Sequence, residues 1–538
     1  MTAHPTLALW IDTVGAVRAE AIEQVAEIAR QARPGGEIFV LRGAQNRDGW
    51  QKIDPTRVKF VDLPETTGPE SELSDAQTAV ILNRLLAETG SDWIVWIQCP
   101  ARLADGAIQT IEAATRRFDA DLIYGDGELP NGRIVRRPAF SPVRLRSQDY
   151  LGDVRAVRVA ALEMAGGFSH GPAAVQPLAV ALCLGLEPDR VLRIPQPLAV
   201  SPNAVAAATP ARQRVVAAFL RERGIVAALD LESGPNPRLR VRYPLVGQPL
   251  VSIIIPTRGG RATIHGERSV LVVDAVRGIL ARSSYPEFEF VIVADDQTPQ
   301  AVIHDLIALA GNRLRLVRWS EKFNFSAKIN RGALFAAGEY LILLNDDVDV
   351  VTSDWIEALL GLAAQPGVGM VGSLLLFEDA TVQHGGHLYS AGWAGHVALG
   401  WTADQQDALD SLAVEREVSG VTAACAMIRA DTFWEVGGLS VDYASNYNDV
   451  DLSLKIRATG RSVLWSPHAR LYHFESKSRD ATVTAGELAV LRGHWGTRLQ
   501  SDPFWPGENP PAPNAAKPAA SNAAELALTL RKVVGKGG

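Results

Sequence analysis

From Val251 onward the chain alternates short β-branched runs with longer helical patterns, and this alternation leaves few folds open. VSIIIPT (251–257) reads as a buried strand, 270–282 as a helix, FEFVIVADD (288–296) as a second strand and 301–310 as another helix. LRLVRW (314–319) then predicts a strand, 328–337 a helix, and EYLILLNDDVDV (339–350) a strand that runs into acidic residues. Strands separated by helices pair in parallel, so the pattern predicts an α/β fold with a largely parallel sheet. Its polar residues collect just after the strand C-termini, where open α/β sheets place their ligands.

The first half carries a fainter copy of the same pattern. GSDWIVWIQCP (90–100) runs alongside GEYLILLNDD (338–347) with one inserted residue, and VRVAALEMAGGF (157–168) parallels AMIRADTFWEVGGL (426–439). Two matches in the same order predict two copies of one domain, 1–240 and 246–505, joined near ESGPNPRLRVRYPLVGQP (232–249). Beyond them, PGENPPAPNAAKPAA (506–520) reads as a Pro/Ala-rich linker, and AAELALTLRKVV (523–534) as a short amphipathic helix within 506–538. That helix has one apolar face and a basic end, which suits peripheral contact with an anionic membrane or a partner protein.

Composition removes several classes. At 538 residues the chain is long enough for two to four domains, and 47% hydrophobic with 21% charged residues excludes wholesale disorder. Lys and Arg total 53 against 60 Asp and Glu, so nucleic acid is not an expected partner. Three cysteines, Cys99, Cys183 and Cys425, make neither a disulfide framework nor a cysteine zinc cluster, and favour a reducing compartment. The opening MTAHPTLALWIDTVG lacks a secretory signal's basic flank and apolar core, and no apolar run approaches the roughly 20 residues that span a bilayer. The expectation is a cytoplasmic protein, peripheral at most to the inner membrane.

Three segments hold residues suited to chemistry. In LLNDDVDV, Asn345, Asp346, Asp347 and Asp349 follow an uncharged strand; such a cluster is either a solvated turn or a site for a hard cation such as Mg²⁺ or Mn²⁺. In SNYNDVDLSLKIRATG, Asn448, Asp449 and Asp451 open a helical pattern. Asp451 fits a helix start, whereas Asp449 is the candidate to take a proton from an attacking hydroxyl. In LYHFESKSR, His473 sits beside Glu475, Ser476, Ser478 and Arg479, a polar run able to meet phosphate. No HExxH, Walker A loop, GxSxG elbow or GxGxxG fingerprint occurs, so metalloprotease, P-loop, α/β-hydrolase and dinucleotide-binding readings lack support.

VSIIIPTR, VIVADDQ, FNFSAKINRG, EYLILLNDDV, VTAACAMIR, EVGGL, YNDVDLSLKIRATG and LYHFESKSR stand in the order and approximate spacing of family 2 glycosyltransferases. Over nearly half its length the chain resembles the bacterial members of that family that serve O-antigen or other surface-polysaccharide assembly. The resemblance implies an α/β chain of two GT-A-like (Rossmann-like, nucleotide-diphospho-sugar transferase) domains in tandem. It also implies a divalent cation, Mn²⁺ or Mg²⁺, a nucleotide-diphospho-sugar donor and a glycan or lipid-linked acceptor. Position by position, Pro256, Thr257 and Arg258 match the start of the nucleotide pocket, and Asp295 the acid at the base, with Asp296 beside it. Asn330 and Gly332, with Lys328 nearby, match the segment along the ribose and diphosphate. Asn345-Asp346-Asp347 stands at the DxD metal motif with Asn first, which leaves Asp347 as the metal ligand and Asp346 among the donor-binding residues. Asp449 matches the catalytic base, with Asn448 where many relatives have Glu, and His473 matches a position that joins the metal shell in some relatives. QHGGHLY (383–389) and AGWAGH (391–396) resemble the loop that faces sugar or acceptor, with Trp393 placed to stack on a pyranose.

The first half departs from this pattern at the chemistry. Gln98-Cys99-Pro100 stands at the metal motif, and nothing after Gly167 corresponds to NDVD, which makes this half a degenerate GT-A-like domain for binding or support. Two other functions compete with a transferase. A catalytically silent glycan-binding or scaffold protein would explain Asn345 and Asn448 in place of acids; a sugar nucleotidyltransferase would need a Gly- and Arg-rich nucleotide loop, to which TRGGR (257–261) bears faint likeness.

Overall fold

A computed structural model describes residues 5–506 apart from 15, 33–34, 44–48, 65–70, 169–184, 206, 234–236, 403 and 475–484. The 506–538 linker and helix therefore lie almost wholly outside the described residues, as do Cys183 and the run from Glu475 to Arg479. The chain divides into two compact units, Met1–Pro244 with Gln406–Arg416, and Leu245–Gln405 with Glu417–Gly538. Among the described residues no helix is long and apolar enough to cross a membrane.

Each unit is built on one large mixed sheet. With the main strands of each unit numbered along the chain, both sheets run in the order third, second, first, fourth, seventh, sixth, eighth, fifth. In the second unit these are Leu314–Trp319, Phe288–Asp295, Val251–Thr257, Tyr340–Leu344, Cys425–Arg429, Val368–Leu376, Ser462–His473 and Val348–Val350. In the first they are Lys59–Leu63, Glu37–Gly43, Leu7–Asp12, Trp93–Gln98, Val154–Arg158, Leu122–Glu128, Val191–Val200 and Arg102–Leu103. The two sequence matches fall on the fourth and seventh strands of both units, so one topology underlies both halves. The first four strands are parallel, and the seventh runs antiparallel to the fourth in each.

Val251–Thr257 is buried along its whole length, as a central parallel strand covered on both faces must be. Leu271–Arg282 packs Leu271, Val272, Ala275, Val276 and Ile279 inward at helical spacing. The helix expected over 328–337 begins earlier and spans Phe325–Phe335, because the Asn324 side chain accepts the Ala327 N–H at 2.9 Å and caps it. The strand expected over 339–350 is two strands, Tyr340–Leu344 and Val348–Val350, which pair with different partners and leave Asn345, Asp346 and Asp347 at the break. A hairpin, Arg261–Ile264 with Glu267–Val270, occupies residues in which the periodicity had shown no element.

The first unit is stapled by buried charge. Arg155 and Asp149 meet at 3.0 Å and Arg193 and Asp126 at 2.7 Å, with Arg155, Asp149 and Asp126 all buried. Residues 406–416 belong to this unit: buried Arg144 donates to Leu409 O at 2.8 Å and Ser411 Oγ at 3.0 Å, and Gln148 donates to Leu409 O at 2.8 Å. Cys99 and Cys425 are buried free thiols.

Candidate active site

The C-terminal ends of the parallel strands in the second unit bring the first group of residues together. Thr257 closes the first strand, and its hydroxyl donates to Asp346 Oδ2 at 2.6 Å while accepting the Gly259 N–H at 2.9 Å. Asp295 closes the second. The buried Lys328 ammonium reaches from the adjacent helix to Asp295 Oδ1 at 2.7 Å and to Thr257 O at 3.2 Å, so its charge is compensated and ties two strand ends to one helix. Pro256 is buried within the strand, Arg258 is exposed just past it, and Asp296 meets Arg318 at 3.2 Å on the surface.

Asn330 and Gly332 face protein. The Asn330 amide exchanges two hydrogen bonds with the Leu439 backbone, at 2.8 and 2.9 Å. A Cβ at Gly332 would lie 2.5 Å from Ile254 Cγ2, so glycine there permits close helix-to-sheet contact. Neither geometry depends on a ligand.

Strand pairing builds the second group. Val348 lies opposite His473 across an antiparallel ladder, which sets Asp347 beside the His473 ring at the far edge of the sheet. His473 Nδ1 is 2.7 Å from Gln383 Oε1, an oxygen that only accepts, so the hydrogen-bond network assigns the ring N–H to Nδ1 and a lone pair to Nε2. That Nε2 lies 2.9 Å from Asn345 Nδ2 and 3.2 Å from Asp347 Oδ1. Burial raises the Asp346 carboxyl well above the usual carboxylate range, and the neighbouring Asp347 adds to the rise against the Thr257 hydrogen bond and the charges of Lys328 and Arg258.

This donor set suits a hard or borderline divalent cation. A lone-pair nitrogen and a carboxylate oxygen 3.2 Å apart repel unless a cation or a proton joins them, and Mn²⁺ accepts both atom types. Among the described residues no three His, Cys, Asp or Glu side chains form a ready cage. Ions of this class use one or two protein ligands when water and substrate phosphate complete the shell.

Asp449 stands in the first turn of helix Asn448–Ala458. The preceding Tyr447 is left-handed at φ 61°, a costly conformation for a bulky residue, and it turns the chain into the helix. Asp449 Oδ1 accepts its neighbour's Val450 N–H at 2.8 Å and Oδ2 accepts the Ala423 N–H at 3.3 Å. Burial opposes its ionisation, but the nearby His387 ring at 3.7 Å, a hydrogen bond from Thr422 and the neighbouring His396 outweigh burial and hold the carboxyl far below the usual range. Asp451, two residues on, is committed elsewhere, to Lys455 at 3.1 Å and to Trp495 Nε1 at 2.9 Å.

A cavity of about 230 Å³ joins these groups, with Asn345 and His473 on its lining together with His387, His396 and Asp449. His387 and His396 are register partners in the hairpin of His387–Ser390 and Trp393–His396. The sequence marks that hairpin as a sugar- or acceptor-facing loop, but no spacing signal predicts that its histidines meet Asp449. Trp393 folds its ring against Gly395, itself part of the cavity lining.

Residues 252–437 match the model of the family described as Glycosyl transferase family 2. They form a family 2 glycosyltransferase domain. The chain around this domain is 30% identical over 429 residues to the O-antigen biosynthesis protein RfbC of Myxococcus xanthus, covering 76% of this chain and 33% of that protein. It is 28% identical over 214 residues, 35% of this chain and 67% of the relative, to the N-acetylglucosaminyl-diphospho-decaprenol L-rhamnosyltransferase of Mycobacterium tuberculosis. The chain spans less than half the length of the two curated relatives that match most of it. Among solved structures, GalNAc-T7 with UDP, GalNAc and Mn²⁺ aligns over 47% of this chain and 49% of that one at 14% identity with a TM-score of 0.38, too distant a likeness to bear on the site. The glycosyltransferase domain contains Thr257, Asp295, Lys328, Asp347 and the cavity hairpin, while Asp449 and His473 lie beyond the matched residues.

Proposed function

We propose that the chain is a metal-dependent, inverting glycosyltransferase that moves a sugar from a nucleotide-diphospho-sugar to a glycan or lipid-linked acceptor in bacterial surface-polysaccharide synthesis. One observation carries the reading: a single cavity is lined by Asn345 and His473, which adjoin Asp347, and by Asp449. A site of this kind needs charge compensation for a departing diphosphate and a separate base for the incoming hydroxyl. The names of the relatives support the pathway and the lipid-linked acceptor, and the cysteine content favours the cytoplasm.

In this reading Asp347 and His473 hold the cation, and a cation there offsets the negative charge that develops on the diphosphate. Thr257, Arg258, Asp295 and Asp296 lie at the strand ends that receive the nucleotide, and Lys328 keeps Asp295 and the Thr257 carbonyl in place. Asp449 accepts the proton of the acceptor hydroxyl as its oxygen bonds to the anomeric carbon. The bond from that carbon to the diphosphate breaks with its electron pair staying on phosphate, and direct displacement inverts the centre. The first half, 1–240, contributes no catalytic group in this reading: its Gln98, Cys99 and Pro100 offer no carboxylate for a cation.

A panel of UDP-, GDP- and dTDP-sugars tests this, with thermal shift and nucleotide release measured with and without Mn²⁺. A metal-dependent rise in melting temperature with slow donor hydrolysis is expected for one nucleotide class. Glycan binding without metal, and no turnover of any donor, would instead favour the scaffold reading.

A further inference from the structure

We propose that His387 is a positioning residue for Asp449, holding the base ionised and aimed into the cavity, and that Gly420 exists to admit its ring. The inference rests on Asp449 being the base and adds what makes it one. His387 and Asp449 line the same cavity, and His387 is the more buried of the two, 3% exposed against 17% for the Asp449 side chain. Its Nε2 lies 3.7 Å from Asp449 Oδ2. Among the described residues nothing hydrogen-bonds its buried Nδ1, so the ring proton of the neutral form belongs on Nε2, facing the carboxylate.

The ring has little freedom to leave this pose. The His387 N–H donates to Gly420 O at 2.7 Å, and a Cβ at Gly420 would lie 2.6 Å from His387 Nδ1, 2.7 Å from the Tyr389 hydroxyl and 2.8 Å from Ser453 Cβ. Gly420 is absent from the positive-φ positions, so what glycine supplies here is room for the ring. The other titratable groups around His387 are His384 and His396, with ring centroids 5.4 and 5.8 Å away, and Tyr389 at 6.0 Å. His384 Nε2 accepts the Thr422 N–H at 3.2 Å, and its Nδ1 is 2.6 Å from His396 Nδ1, so these two rings are hydrogen-bonded to each other. Behind Tyr389 stand Arg457 and Asp502, and burial raises the phenol far above its usual range.

A donor on Nε2 does two things for a base. At 3.7 Å it limits how Oδ2 can turn, alongside the Ala423 N–H on the same oxygen, and it favours the ionised carboxylate throughout the working pH range. The cost is lower proton affinity, offset by a base that is never lost to protonation.

The test uses the full chain and the UDP-, GDP- or dTDP-sugar it hydrolyses fastest with Mn²⁺, water serving as acceptor. His387→Leu keeps bulk and removes the donor; kcat should fall roughly ten- to a hundredfold, with donor affinity unchanged. Wild type should show no acid limb of kcat from Asp449 down to about pH 4, whereas His387→Leu should acquire one there, because a buried carboxylate without its donor protonates more easily. His387→Gln restores an N–H without the imidazole, and should recover most of kcat and the flat wild-type profile. A Leu variant with the wild-type pH profile, or a Gln variant that stays ten times slower than wild type, overturns the proposal. If the Leu variant does not fold, the Gln variant alone decides. Asp449→Asn separates the two readings: wild-type turnover in that variant removes the base assignment and this inference with it. A dead Asp449→Asn beside an unshifted His387→Leu removes only His387. A chain that hydrolyses none of the donors removes both.

Discussion

Asp347 and Asp449 sit in one region but should fail differently. Asp347→Ala removes a carboxylate 3.2 Å from His473 Nε2, and metal-dependent donor binding by titration calorimetry should weaken tenfold or more. Asp449→Asn keeps the shape and loses the proton acceptor; donor binding should stay within a few-fold while turnover drops about a hundredfold or more. Equal loss of binding in both variants would contradict the division of labour. A third residue reports on the first unit. Burial pushes the Asp12 carboxyl up to about 7 against the Val14 N–H bond at 3.0 Å. Below the unfolded value of 3.8 the group is neutral in both states, so nothing is lost there. From there to about 7 the unfolded chain ionises first and stability falls; above that it stays low. Asp12→Asn should therefore match wild type near pH 4 and exceed it at pH 8, by at most about 4 kcal/mol in urea unfolding. Parallel pH curves would refute it.

Helix Phe325–Phe335 is the element on which the donor side of the site depends, since it delivers Lys328 to the strand ends. Its start is set by Asn324, which caps Ala327 and also donates to Val441 O at 2.8 Å. Asn324→Ala should cost about 1 to 2 kcal/mol of stability by chemical denaturation and loosen donor binding through Lys328. An unchanged midpoint would mean that tertiary contacts alone hold the helix. This element also marks a limit of pattern reading. The apolar period placed a helix at 328–337, but a cap is a local hydrogen bond and leaves no trace in hydrophobic spacing. The same holds for EYLILLNDDVDV, which reads as one strand; the break at Asn345 to Asp347 arises because Tyr340–Leu344 pairs with Cys425–Arg429 and Val348–Val350 with Ser462–His473.

Residues 406–416 make the two units depend on each other in sequence, because a stretch of the second half is counted with the first. A fragment of residues 245–505 lacks Arg144 and Gln148, the side chains that hold Leu409 and Ser411, and would expose Leu409, Leu412 and Val414, all buried in the intact chain. It should still bind donor with Mn²⁺ yet melt roughly 5 °C or more below the intact protein. An equal melting temperature would show that 406–416 needs no first unit. Much of this architecture was legible beforehand: strand and helix periods, the internal repeat and the acidic residues at strand ends are local properties, written in consecutive side chains. Asp449 could be singled out in the same way, as an acid at a helix start within a recognisable motif. What only the tertiary structure decided is which distant groups meet. Asp347 reaches His473 through a ladder 125 residues long in sequence terms, Val348 to His473. Asn330, named for a ligand, spends its amide on Leu439, and His387, singled out by no motif, lies 3.7 Å from Asp449. Such encounters depend on strand register and on the room left by glycines such as Gly420, and neither is a property of any contiguous stretch of sequence.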